Sequence, residues 1–216
     1  DERLLNRIIA LWPQCLAVLP ESPTEDVITL NLRSLLTRDA EARQIFYYLE
    51  YQFEPEGFTP EGQAFSKGQI DLAVLLDQGC TLYLAYECKR LNVDYNGARR
   101  SLATPYVDQG IKRFITQQYA EGLPVGCMLG YVLDGDLDSA RDRVHMAIKT
   151  NKTEIGLTDG PISISAISNE ERFTTDHMRK ASGISIHIRH SFLPFRKKSL
   201  KKIKKTGEIK QANTAT

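Results

Sequence analysis

The alternation of apolar and polar residues is clearest in the middle of the chain, where two short segments predict adjacent strands. QIDLAVLL (69–76) and CTLYLAYECK (80–89) are separated by the tripeptide DQG (77–79), which is typical of a hairpin turn. Because successive strand residues point to opposite faces of a sheet, Glu87 and Lys89 share one face at the end of the second strand. The pattern therefore places charged side chains where an apolar strand leaves the core.

Helical and strand periodicities elsewhere predict the elements around this hairpin. A first helix is expected over 2–19 with an interruption near Pro13, and a second helix opens at SPTE, where Ser22 and Glu25 fit a capping box. Further helices are predicted from Thr104 and over 138–150, strands over 45–53, 125–133, 162–167 and 184–195, and loops over 54–68 and 91–103. This order predicts the α/β class, with a small mixed twisted β-sheet flanked by helices.

Length and composition predict a single globular domain with a charged terminal segment. Residues 1–195 form the expected domain, with a core at about 22–133 and a C-terminal elaboration over 134–195. The segment 196–216 contains eight Lys/Arg and one acid, which leaves 20 basic and 26 acidic residues in 1–195. We therefore expect an acidic body with a basic, flexible tail that suits either a phosphate backbone or an acidic partner, or that only aids solubility.

The sequence shows no apolar run of membrane-spanning length, and its four cysteines lack the close spacing of a zinc site. Reduced thiols are the simplest interpretation, so we expect a cytoplasmic protein with no membrane partner. Three histidines, His177, His187 and His190, also lack a ligand pattern with Cys or Asp. Ordinary hydrogen bonds in strands and loops are the favoured interpretation for them.

The chemistry-bearing residues lie on the predicted hairpin. Asp71 opens the first strand, and antiparallel pairing brings it next to Glu87 and Lys89 at the end of the second. Two carboxylates close together repel unless a cation or proton intervenes, and Mg²⁺ or Mn²⁺ suits such hard oxygen ligands. A divalent ion, a polarised water and a fixed ammonium meet the needs of phosphodiester hydrolysis.

GQIDLAVLL followed by LYLAYECK resembles the PD-(D/E)XK nuclease superfamily, in which an Asp opens one strand and Glu-x-Lys ends the next. The close match covers about 20 residues, the order of elements from roughly Thr24 to Val132 agrees, and Gly68 stands near the place of the signature proline. The resemblance implies a restriction-endonuclease-like core. It also implies that Asp71, Glu87 and the Cys88 backbone carbonyl bind Mg²⁺, with Mn²⁺ as a substitute, and that Lys89 positions the attacking water.

Other residues extend this predicted site. Members of the superfamily often add an acid from the helix before the strands, which indicates Glu25 as a metal ligand unless it only caps its helix. Asp26 and Glu50 are the alternatives. The helix that follows Glu-x-Lys often faces the site, and the polar residues that it offers for nucleic-acid contact are Gln109, Lys112 and Arg113. A solvated helix face is the competing interpretation.

The sequence thus predicts a Mg²⁺-dependent endonuclease that hydrolyses phosphodiester bonds of DNA, with RNA left open as substrate. The resemblance implies a function in bacterial restriction or antiphage defence, with target choice supplied by a homodimer mate or by a larger protein partner such as an ATPase. One alternative is a non-catalytic nucleic-acid-binding or assembly subunit of the same fold. Another is an acid/base hydrolase that uses Asp71 and Glu87 on a different substrate.

Overall fold

The computed structural model describes residues 2–164 and 170–195. Its helices are α1 (Glu2–Val18), α2 (Glu25–Arg38), a 3₁₀ turn (Ala42–Gln44), α3 (Ala103–Tyr106), a π-helical segment (Val107–Ile111), α4 (Lys112–Ile115) and α5 (Leu137–Thr150). Its strands are β1 (Tyr48–Phe53), β2 (Glu56–Phe58), β3 (Ala64–Ser66), β4 (Ile70–Leu75), β5 (Tyr83–Leu91), β6 (Val93–Tyr95), β7 (Ala98–Arg100), β8 (Val125–Val132), β9 (Leu157–Ile164), β10 (Glu171–Arg179) and β11 (Ile184–Pro194).

The central sheet is mixed and has seven strands in the order β1-β4-β5-β8-β11-β10-β9. The first three strands are antiparallel to one another, and so are the last three. The two groups join through parallel pairing of β5 with β8 and of β8 with β11. Two short hairpins, β2–β3 and β6–β7, leave the sheet from the end at which β1 and β5 finish.

Helices cover both faces of the sheet, as the mixed α/β prediction requires. On one face α1 and α2 pack their apolar residues against Leu72, Tyr86 and Cys88, and on the other α3–α5 pack against Ala85 and Leu91. This assignment follows the predicted alternation along β5. Within the described residues, no helix is both long and apolar enough to cross a membrane.

The structure corrects several local predictions about helices and loops. Helix α1 continues through Pro13 because its buried residues, including Ile8, Leu11 and Trp12, hold both halves against the sheet. The N-cap of α2 is Thr24, whose hydroxyl accepts from the Val27 amide, so the predicted capping box of Ser22 with Glu25 is wrong. The loops predicted over 54–68 and 91–103 contain the hairpins β2–β3 and β6–β7.

Two predictions concern segments at the limits of the description. Strand β9 covers part of the predicted strand 162–167 and starts earlier, while residues 165–169 lie outside the described residues. The predicted basic tail, 196–216, also lies outside them. Strand β10, which the apolar pattern does not predict, lies between β9 and β11.

Candidate active site

The β4–β5 ladder places the central residues of the site at one end of the sheet. Leu72 pairs with Tyr86, so Asp71 lies beside Glu87 where the ladder ends. There the Asp71 Oδ2 atom accepts a 2.6 Å hydrogen bond from the Cys88 amide. The carboxylate thus takes a backbone donor of β5, which fixes its position relative to Glu87.

The Lys89 ammonium lies among three carboxylates. Its Nζ atom is 2.6 Å from Glu87 Oε1, 3.0 Å from Glu25 Oε1 and 3.9 Å from Asp71 Oδ2. It also donates to the Cys88 carbonyl at 2.8 Å. The residue is only 9% exposed, so these contacts compensate a charge that would be costly to bury alone.

Glu25 reaches the site from the first turn of α2. Its Oε1 atom accepts from Lys89, and its Oε2 atom accepts a 2.8 Å hydrogen bond from the Arg90 amide. Both oxygens therefore engage β5, and Thr24 caps the helix instead. The carboxylate anchors the lysine and the strand end from the opposite side to Asp71.

Glu87 has two oxygens in different surroundings. Oε1 accepts from Lys89 and, at 2.9 Å, from Arg113 Nη1. Oε2 is buried and has no hydrogen-bond partner among the described residues. An unpartnered carboxylate oxygen is costly inside a protein, so a proton or a cation at this atom would lower the free energy of the site.

A second layer of contacts holds Arg113 in place. Arg113 Nη1 also contacts the Tyr119 hydroxyl at 2.6 Å, and the guanidinium lies 5.4 Å from the Tyr119 ring centroid. The Tyr119 hydroxyl donates to the Gln69 carbonyl, which precedes β4. Tyr119 was not predicted as a site residue, because its spacing in the chain matches no motif and only its contacts place it beside the cluster.

The helical segment next to Glu87 has a wide turn. Residues Val107–Ile111 are π-helical, a conformation that is frequent at functional sites. A Cβ atom on Gly110 would lie 2.5 Å from Met128 Cε and 3.8 Å from Glu87 Cγ. A side chain at this position would displace the Met128 methyl group, and glycine lets the helix backbone cover the buried side of the carboxylate.

Burial and charge shift the pKa values of the cluster. Desolvation raises the pKa of Glu87 to about 8, and the charge on Asp71 adds to this effect. Desolvation also raises the pKa of Asp71 to about 6. Burial opposes the charge on Lys89, but the three carboxylates outweigh it and raise the pKa of Lys89. Three acids face two cations, Lys89 and Arg113, so the fully ionised cluster carries one net negative charge.

The donor set fits a magnesium-type ion with few protein ligands. In residues 2–164 and 170–195, no three His, Cys, Asp or Glu side chains are grouped closely enough to hold a metal ion between them. Mg²⁺ commonly uses one or two carboxylates and retains several waters, a demand that Asp71, Glu87 and the Cys88 carbonyl meet. The unpartnered Oε2 of Glu87 is the observation that supports this fit.

The remaining predicted site residues lie away from the cluster centre. Lys112 forms ion pairs with Asp108 at 2.7 Å and with Glu154 at 2.6 Å, on the outer side of the helix. Gln109 and Asp26 are exposed. Glu50 pairs with Ala73 on the edge strand β1, two residues along β4 from Asp71. Of the helix residues predicted for nucleic-acid contact, the structure brings only Arg113 to the carboxylates.

A separate buried network joins the histidines of β10 and β11. His177 Nδ1 is 2.9 Å from the Ile155 carbonyl, and its Nε2 is 2.7 Å from the Thr175 hydroxyl. That hydroxyl is also 2.9 Å from His190 Nε2, and His190 Nδ1 is 2.9 Å from the Tyr106 hydroxyl. Because a carbonyl only accepts, His177 donates from Nδ1, and each further donor and acceptor is then determined. The chain is complete with both rings neutral.

The comparisons of this chain add no family assignment. No protein-family model, no curated protein and no solved structure matches it.

Proposed function

We propose that this protein is a Mg²⁺-dependent nuclease with a restriction-endonuclease-like core that hydrolyses phosphodiester bonds. The observation that carries the proposal is the convergence of Asp71, Glu87 and Glu25 on Lys89, with Glu87 Oε2 buried and without a partner in the described part of the chain. The arrangement combines a site for one more positive charge with a fixed ammonium. The order of α2, β1, β4, β5, α3–α4 and β8 supports the proposed core.

Each residue has a distinct task in this proposal. Asp71, Glu87 and the Cys88 carbonyl would hold the ion, which supplies charge stabilisation to the phosphate in the transition state. The raised pKa of Lys89 keeps it protonated, so it orients a water by donating a hydrogen bond and does not act as a base. Glu25 holds Lys89 and the Arg90 amide in position.

Arg113 is the proposed contact to the scissile phosphate. Of the guanidinium nitrogen atoms of Arg113, only Nη1 forms hydrogen bonds within the described residues. The side chain is 33% exposed. Its other N–H groups remain to donate, and a guanidinium binds phosphate oxygens well. The resemblance to PD-(D/E)XK nucleases implies products with a 5′ phosphate and a 3′ hydroxyl.

Cleavage assays with three proteins test the proposal. Wild type, Lys89→Ala and the exposed control Lys180→Ala are incubated with plasmid and with single-stranded DNA, in Mg²⁺ and in EDTA. We expect cleavage by wild type and Lys180→Ala in Mg²⁺ only, and none by Lys89→Ala. Cleavage in EDTA, or equal activity of Lys89→Ala, would contradict the proposal. RNA oligonucleotides in the same assay decide between the two nucleic acids.

The position of Lys89 also favours a second candidate, a non-catalytic binding or assembly subunit. An ammonium within hydrogen-bond distance of Glu87 and Glu25 is itself a counter-ion for the cluster. In that case Mg²⁺ changes neither cleavage nor the thermal unfolding temperature (Tm) of the protein. A Mg²⁺-dependent rise in Tm that is absent in Glu87→Gln favours the nuclease.

The biological setting remains a prediction of the resemblance. We propose DNA as the substrate, a function in restriction or antiphage defence, and a homodimer mate or larger partner such as an ATPase that selects the target. Size-exclusion chromatography with light scattering tests the dimer. A monomer that cuts a defined sequence unaided would contradict the need for such a partner.

A further inference from the structure

A groove of about 420 Å³, with both apolar and polar lining residues, lies between the turn from β7 to α3 and one side of α5. Its polar lining consists of Arg100, Ser101, Thr104, Arg143, Thr150 and Asn151. No carboxylate lines it. In a chain whose first 195 residues carry more acids than bases, an acid-free groove with two guanidinium groups is a distinct electrostatic feature.

The two arginines have no counter-ions in the part of the chain that the structure describes. Among the described residues, neither Arg100 nor Arg143 forms an ion pair or a side-chain hydrogen bond, and both are exposed. The adjacent Arg99 differs, since it bonds Asp134 at 2.6 Å and Asp136 at 3.0 Å. Arg99 thus fixes the β6–β7 hairpin to the body, while Arg100 is left with all its donors for an anion.

The wall of the groove is strained at one residue. Leu102 has φ 56° and ψ 18°, the left-handed region, at the start of α3 and without a side-chain cap. A residue with a Cβ atom adopts this conformation at a free-energy cost, and such strain is concentrated at functional sites. Leu102 turns the chain so that Arg100 and Thr104 border the same groove.

One edge of the groove, at Ser101, lies near the end of β5 that carries the carboxylate cluster. The Asn92 amide donates to the Ser101 carbonyl at 3.1 Å, and Asn92 follows Lys89 by three residues, on the order of 10 Å of strand. Both α3 and α5 pack on the face that carries Ala85 and Leu91, the face shared by Glu87 and Lys89.

We propose that this groove binds backbone phosphates of the nucleic-acid substrate, beside the carboxylate cluster. Arg100 and Arg143 supply the charge, and the Thr104 and Thr150 hydroxyls supply neutral donors. The inference rests on the proposed nuclease function for the identity of the ligand. Contacts of this kind position the strand and are independent of its sequence.

Binding without cleavage tests the groove separately from the chemistry. Fluorescence anisotropy in EDTA measures the affinity of labelled single-stranded and duplex DNA over a series of NaCl concentrations. The proteins are wild type, Arg100→Gln/Arg143→Gln, and the control Arg43→Gln/Lys180→Gln, which removes the same charge from exposed positions at the other end of the sheet. All substitutions are exposed, so unchanged Tm and circular dichroism are expected.

We expect the groove variant to lose about tenfold or more in affinity. The slope of log K against log salt for a duplex should fall in magnitude by about 1.8, because two phosphate contacts are lost and each contributes about 0.9. The control should change affinity less than about twofold. Equal losses in both variants, or no DNA binding by wild type, would overturn the proposal. Binding of a labelled polyglutamate peptide that the groove variant loses, with the DNA affinity of that variant unchanged, would also overturn it and assign the groove to an acidic protein.

The outcome is distinguishable from failure of the nuclease proposal. If the groove variant loses affinity and wild type cleaves nothing in Mg²⁺, the groove stands and the nuclease fails. If wild type cleaves and the groove variant keeps its affinity and salt slope, the nuclease stands and the groove fails.

Discussion

Two buried polar networks in this protein differ in how completely their hydrogen-bonding groups are satisfied. The chain from Tyr106 through His190, Thr175 and His177 to the Ile155 carbonyl uses every donor and acceptor once, with neutral rings. The carboxylate cluster holds three acids against two cations and leaves Glu87 Oε2 without a partner among residues 2–164 and 170–195. The first network is stable as it stands, whereas the second requires another positive charge or a proton.

The difference between a satisfied and an incompletely satisfied network has a different physical consequence in each case. A satisfied buried network contributes to a unique fold, because any other arrangement leaves a polar group unpartnered. An incompletely satisfied network costs free energy, and the protein retains it where a ligand supplies the missing interaction. The comparison predicts that substitutions in the two networks affect different measured quantities.

The largest expected effect is the loss of cleavage in Glu87→Gln. An amide does not carry the charge that a divalent ion requires, and metal charge stabilisation is worth several kcal/mol, so activity should fall by about three orders of magnitude. The Mg²⁺-dependent rise in Tm should disappear with it. Retention of either property would show that Glu87 is not the ligand and would remove the contrast between the networks.

A smaller loss of activity is expected in Glu25→Gln. Glu25 orients Lys89 and the Arg90 amide, and outer contacts of this kind are worth about 10–100-fold in activity or metal affinity. The adjacent exposed residue provides the matched control, since Asp26→Asn removes the same charge from the same helix turn and should leave the rate unchanged. Equal effects of the two substitutions would mean that only the charge of the helix start matters.

Substitution in the histidine chain should change stability and leave the chemistry intact. Thr175→Val is close in volume and deprives both His177 and His190 of a partner, at about 1–3 kcal/mol for each unsatisfied group. Thermal unfolding should show a Tm lowered by roughly 4–20 °C at this chain length. Thr174→Val, on the neighbouring position of β10, is the control. Reduced cleavage by folded Thr175→Val would show that the networks are coupled.

The smallest expected effect is an opposite pH dependence of the two networks. Without metal, the raised pKa of Glu87 gives stability that is present below pH 4.5 and is lost as pH rises through about 8. Burial lowers the pKa values of His177 and His190, so their contribution is present above pH 6.5 and is lost as pH falls. In EDTA, the free energy of unfolding should therefore fall between pH 6.5 and 8, by at most about 1.4 kcal/mol per pH unit, and Tm should fall with it.

Two further measurements sharpen this pH test. Glu87→Gln should show no decline over that range, and the rise in wild-type Tm on adding Mg²⁺ should be larger at pH 8 than at pH 6.5, because the ion binds the ionised carboxylate. A wild-type Tm in EDTA that is constant from pH 6.5 to 8 would contradict the assignment to Glu87.

The sequence predicted the elements whose apolar pattern is regular. The segments 69–76 and 80–89 form the expected hairpin, and alternation alone placed Glu87 with Lys89. The Asn96-Gly97 turn of β6–β7 was a readable signal that the loop prediction missed, since both residues have positive φ as a two-residue hairpin turn requires. The short β2–β3 hairpin carries no comparable pattern.

Strand β10 was not predictable from apolar periodicity, because its buried positions are polar. Arg179 is fully buried and donates to the Phe114, Leu123 and Ala120 carbonyls, while Thr175 and His177 belong to the histidine chain. Such residues are buried only because distant segments supply their partners. For the same reason, the two hydrogen bonds of Glu25 and the position of Tyr119 were not predictable from the sequence.

The interior position of β11 has a consequence for the order in which the molecule is made. This last described strand lies between β8 and β10, so the sheet stays divided until residues up to Pro194 have left the ribosome. All members of the carboxylate cluster, from Glu25 to Arg113, emerge several seconds earlier at about 5–20 residues per second. The acidic residues are thus all synthesised before β11 can join the two parts of the sheet.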